Sequence, residues 1–127
     1  MNNFMNVFTP GVLEQLFPKE RTDDFFEALF GDKEDGAYDI SLEYNKNENS
    51  KLYFNLVLKQ REGKCLVCSL TYGLPEVFSR HPIINLNGLM KDINEKLDGQ
   101  IVCNNWSLGP TKMIDNNIHE ISLELSY

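Results

Sequence analysis

Three stretches of the chain alternate apolar and polar residues with a period of two. They are Tyr38, Ile40, Leu42 and Tyr44; Leu52, Phe54, Leu56 and Leu58; and Ile121, Leu123, Leu125 and Tyr127. Successive side chains of an extended strand point to opposite faces, so this period gathers each apolar set on one side of a sheet and leaves the other side polar. A sheet with one wet face is an antiparallel sheet, since parallel sheets are covered on both faces. Asn45–Ser50 is a polar loop of hairpin length between the first two stretches, and Arg61–Lys64 reads as a tight turn after the second. Cys65 to Tyr72 is expected to form a third strand. There both parities are apolar (Leu66, Cys68 and Leu70 against Cys65 and Val67), which implies cover on both faces or a place at a dimer seam.

Helical spacing marks the remaining segments. Thr9 and Pro10 suit an N-cap and first helical position ahead of Val12, Leu13, Leu16 and Phe17, and Pro18 is the expected stop. Thr22 is the expected cap of a second helix, which carries Phe25, Phe26, Leu29 and Phe30 on one face and ends at Gly31. Leu86, Leu89, Met90, Ile93 and Leu97 give the clearest helical periodicity, with Asn85 or Asn87 as cap and Gly99 as stop. Glu76–Pro82 reads as a loop or a single helical turn. Ile101–Leu108 reads as a strand broken by Gly109-Pro110. The expected order is α-α-β-β-β-α-β-β. It defines an α+β fold, an antiparallel β-sheet with helices packed on one face. A single domain over residues 1–127 is expected, with short N-terminal helices in 1–31 and the β-β-β-α-β-β body in 37–127.

Composition narrows the function. Of 19 acidic and 12 basic residues, eleven acids and four bases fall in residues 1–50, so the whole net charge of −7 lies there and the remainder is neutral. Nucleic-acid binding requires clustered Lys and Arg and is not expected. The N-terminal residues lack the basic and apolar regions of a signal peptide, and no apolar run approaches the ~18 residues of a membrane span. An odd count of three cysteines fits a reducing compartment better than a disulfide framework. A cytoplasmic location with no membrane association is therefore expected.

Few residues offer chemistry. Cys65 and Cys68 have the CxxC spacing of a zinc knuckle, with Cys103, His81 or His119 as further ligands. On a strand, however, positions i and i+3 face opposite ways, so the pair reads first as small buried side chains. Ser79, Arg80 and His81 lie together ahead of the main helix, where Arg80 and His81 suit an anion or acid–base work, the basis of a third reading as a hydrolase or transferase. His119 shares parity with Ile121 and Leu123 and reads as structural. Lys59, Arg61 and Lys64 cluster around one turn and offer a place for an acidic partner. Tyr72, Arg80, His81 and Trp106 complete the candidate contacts, Trp106 as an interface anchor or a core plug. No catalytic constellation is legible, no cofactor is expected, and enzymatic activity is the less favoured reading.

Two resemblances add to this. Gln60 to Pro82 (QREGKCLVCSLTYGLPEVFSRHP), with Arg21 to Asp32 (RTDDFFEALFGD) before it, resembles a family of small uncharacterised bacterial proteins, some of which carry a homeobox-type name. The acidic composition and predicted strands do not suit a homeodomain, which is basic and all-helical. The family implies no activity and no site residues. At the level of element order and acidity, the chain is also similar to type III secretion chaperone folds, which implies homodimers that hold partner segments in extended form. The leading expectation is a non-enzymatic cytosolic chaperone- or adaptor-like domain that binds a protein partner or forms a homodimer. The alternative is a metal- or small-ligand-binding protein using Cys65, Cys68 and Cys103 with His81.

Overall fold

The computed structural model describes residues 4–31, 36, 38–64 and 73–127, apart from the side chains of Met5, Leu29 and Phe30. A short 3-10 turn, Phe4–Asn6, leads into α1 (Pro10–Leu16) and α2 (Lys19–Phe30). Strands β1 (Tyr38–Glu48) and β2 (Lys51–Gln60) form a hairpin, followed by α3 (Leu74–Arg80), α4 (Leu86–Leu97), β3 (Asn105–Met113) and β4 (Ile118–Ser126). The four strands make one sheet in the order β1-β2-β4-β3, antiparallel at every junction. The fold class is α+β, an open antiparallel sheet with helices packed on it.

The alternation read from sequence becomes the core. Ile40 stands opposite Leu58, and Leu42 opposite Leu56. Leu56 in turn stands opposite Ile121, and Phe54 opposite Leu123, so the apolar rows run across three strands. The helices close this face with Leu16, Phe25, Phe26, Phe78, Leu89, Ile93 and Leu97, all buried. Phe8, Tyr44 and Phe54 form a ring cluster with centroids 5.0–5.4 Å apart, which pins the chain ahead of α1 to the sheet. The opposite face, carrying Ser41, Asn55, Glu120, Ser122 and Glu124, is polar.

Thr9 caps α1 as expected, its Oγ1 accepting from the Val12 amide at 3.3 Å. Asn85 rather than Asn87 caps α4, accepting from the Gly88 amide at 3.1 Å. Gly31 ends α2 in the left-handed conformation at φ 81°. Four expectations are corrected. Helix α2 begins at Lys19 with Pro18 at its cap, so Thr22 lies inside the helix. Strand β1 runs on to Glu48, because Asn49 and Ser50, both at positive φ, form a two-residue turn in place of the expected six-residue loop. Leu74–Arg80 is a helix of seven residues, with Pro75 in its first turn where a missing amide costs nothing. Strand β3 continues through Gly109-Pro110, since an edge strand with an irregular register tolerates a residue without an amide hydrogen. The expected third strand, Cys65–Tyr72, lies outside the described residues.

Thr22 does different work from a cap. Its side chain is fully buried, and its Oγ1 both accepts from the Ile40 amide at 3.2 Å and donates to the Ile40 carbonyl at 3.4 Å. One hydroxyl thus fills the place a neighbouring strand would take at that residue. Thr22→Val should strand both buried backbone groups and lower stability by about 1–3 kcal/mol. Urea unfolding measures it, with the exposed Ser107→Val on β3 as a near-neutral control.

Candidate functional site

A groove of about 460 Å3 lies between α1 and β1. Pro10, Leu13, Glu14 and Phe17 form its helical wall, and the consecutive residues Asp39 to Glu43 form its sheet wall, with Lys19 and Lys59 at its rim. Two contacts fix the direction of these walls. Phe8, just ahead of α1, packs on Tyr44, while Thr22 in α2 bonds to Ile40. Helix α1 therefore runs from the Tyr44 end of β1 towards the Ile40 end, antiparallel to the strand.

Arg61 holds this corner together. Its Nη2 lies 2.8 Å from Asp23 Oδ1 on α2 and 3.0 Å from Asp39 Oδ1 on β1, and its Nε donates to Asp39 Oδ1 at 3.1 Å. The guanidinium also sits 5.2 Å over the Phe26 ring. With its side chain 19% exposed, Arg61 is engaged within the molecule. Its neighbours Lys59 and Lys64 are exposed, and of the expected site residues within the described set only Lys59 lines the groove. Tyr38, beneath the same corner, is held as a neutral phenol because burial drives its pKa up.

The other candidates are dispersed. Arg80 is exposed and pairs with Glu76 one turn earlier at 3.3 Å. His81 terminates α3, accepts from the Ile83 amide on Nδ1 at 3.2 Å, and meets the Phe25 ring edge-on at 4.8 Å. Trp106 on β3 is half-buried and donates from Nε1 to Asn87 Oδ1 at 2.6 Å. Cys103 is buried, and its backbone is gripped by the Asn94 side chain, which accepts from the Cys103 amide at 2.8 Å and donates to its carbonyl at 2.9 Å. These pairs tie α4 to the start of β3. Cys65, Cys68 and Tyr72 lie outside the described residues. Among the described residues, no group of three or more His, Cys, Asp or Glu side chains is placed to hold a metal ion.

A second depression, about 300 Å3, lies on the polar face of the sheet among Lys46, Tyr53, Asn55, Lys112, Glu120 and Ser122. It mixes cations, anions and amides without a focus. Cross-strand ion pairing such as Lys51 with Glu124 at 3.5 Å accounts for charges of this face.

Fold and groove together define an α+β domain whose open antiparallel sheet is flanked along one edge by a helix. Comparison of the chain with protein-family models, with curated proteins and with solved structures returned no match. No helix among the described residues is long and apolar enough to cross a membrane.

Two buried groups have measurable consequences. Burial lowers the His119 pKa below its ordinary value, partly opposed by Asp115. A lowered histidine pKa means that His119 contributes stability above about pH 6.5 and loses it as the pH falls through the folded value. Urea midpoints should therefore drop on the acid side, and His119→Gln should flatten that part of the profile. Burial also pushes the Cys103 thiol up to about 11. At pH 8 it should resist iodoacetamide in the folded protein and react only after unfolding, as mapped by peptide mass spectrometry.

Proposed function

We propose that this chain is a non-enzymatic, cytosolic protein-binding domain, adaptor- or chaperone-like, which receives a segment of a partner protein in the α1–β1 groove. The observation that carries the reading is the composition of the walls. Apolar side chains of Leu13, Phe17, Ile40 and Leu42 line the groove, and the charged groups of Glu14, Lys19, Glu43 and Lys59 stand around it. Apolar walls with a charged rim suit a polypeptide, whose side chains are buried while its flanking charges stay hydrated. A cytosolic setting accords with the odd cysteine count and with the buried, free thiol of Cys103.

Leu13→Trp provides the test, because Leu13 stands half-buried in the helical wall and the larger ring would fill the groove. A random-peptide display library selected on the immobilised full chain should yield convergent sequences that fail to bind Leu13→Trp. Enrichment no better on the native chain than on this variant overturns the proposal. Light scattering on the same preparation separates a partner of different sequence from a second copy of the chain: a dimer that Leu13→Trp dissociates would make the partner the chain itself.

A further inference from the structure

The groove contains an unfinished piece of sheet. In an antiparallel ladder, alternate residues turn both amide and carbonyl towards one neighbour, and the residues between them turn both groups the other way. Ile40 turns its pair outward, since both groups meet Thr22 rather than β2. The pairing of β1 with β2 is regular from Tyr38 to Tyr44, so Leu42 turns outward as well. No strand lies on that side of β1 among the described residues, and no turn, cap or side-chain hydrogen bond reaches Leu42 there. Yet Leu42 is only 4% exposed, and it lines the groove. Buried backbone groups are almost always paired. One amide and one carbonyl at strand spacing, opening into an apolar groove, are complementary to another extended backbone.

The rim gives that backbone a direction. Because α1 and β1 run oppositely, Glu43 falls towards the Tyr44 end of the groove and Glu14 near its middle, while Lys19 and Lys59 fall towards the Ile40 end. Asp39, also at the second end, is neutralised by Arg61. The groove is thus acidic at one end and basic at the other. A strand antiparallel to β1 would bring its N-terminal side to the acidic end and its C-terminal side to the basic end.

Building on the protein-binding reading, we propose that the partner segment binds as an extended strand antiparallel to β1, exchanging two backbone hydrogen bonds with Leu42. Its basic residue lies towards Glu43, and its acidic residue lies towards Lys19 and Lys59. Thr22 sets the limit of this added strand by occupying the next outward pair at Ile40. The recognised chemistry is a short β-forming segment, apolar at alternate positions and oppositely charged at its ends.

The test uses the full chain with a synthetic peptide of about seven residues, roughly 23 Å when extended. Lysine stands first, glutamate last, and valines alternate with threonines between. Amide hydrogen exchange followed by NMR should show the Leu42 amide exchanging freely in the unbound protein, while Ser41 and Glu43, which bond to β2, are protected. Saturating peptide should slow Leu42 exchange by about tenfold or more. Methylating the one peptide amide that faces Leu42 should weaken binding about tenfold, and methylating its neighbours, which face away, should change affinity by less than about twofold. The isomer with lysine and glutamate exchanged should bind more weakly. Groove binding by display-selected peptides, sensitive to Leu13→Trp but leaving Leu42 exchange unchanged, would overturn this inference and leave the protein-binding reading intact. Equal or tighter binding of the exchanged isomer overturns the assigned direction. Failure of both designed and selected peptides to bind overturns both proposals.

Discussion

Everything on the N-terminal side of this molecule depends on how the free edge of β1 is closed. A sheet edge exposes unpaired donors and acceptors that attract other strands. Here the closure is made by side chains. The Thr22 hydroxyl serves both groups of Ile40, and Arg61 links Asp39 on the strand to Asp23 on the helix. These contacts fix α2 against the strand at the Ile40 end, while Phe8 on Tyr44 fixes the chain at the other end. Helix α1 is thereby suspended between two anchors, with the groove beneath it.

The acidic bias of the first fifty residues has a local meaning in this arrangement. Asp23 and Asp39 serve Arg61, while Glu43 marks one end of the groove and Glu14 stands midway along its helical wall. The turn that carries Lys59, Arg61 and Lys64 is correspondingly divided in its roles. Arg61 belongs to the internal architecture, Lys59 to the groove rim, and Lys64 to solvent. A planar guanidinium suits the first of these positions, because it meets two carboxylates and stacks on Phe26 at the same time.

The parts legible in the sequence were those governed by local periodicity. The apolar rows of β1, β2 and β4 follow from alternation alone, and the helix over Leu86–Leu97 follows from its spacing and cap. The misread parts were those where a residue type serves more than one purpose. Threonine is a good helix cap, which hid the fact that Thr22 shares a helical face with Phe25 and Phe26 and therefore points into the protein. Proline breaks strands, which hid the tolerance of an edge strand for Pro110. Asparagine-rich sequence suggested a long loop, although Asn49 and Ser50 suffice for a tight turn. The groove could not be read at all. Its walls come from segments some twenty-five residues apart, and neither segment carries a motif, so only their juxtaposition creates the site.

The two edges of the sheet differ in kind. On β3, Pro110 deletes a donor and the register slips between Leu108 and Thr111, while Gly109 lies so close to Ser122 that a side chain there would collide with it. That margin is a poor template for further pairing. Among the described residues, the opposite margin is flanked by α1 and closed at Ile40 by Thr22. Among the described residues, the two borders of the sheet do not match. Head-to-tail stacking of sheets requires two complementary open borders, and these two borders do not complement one another.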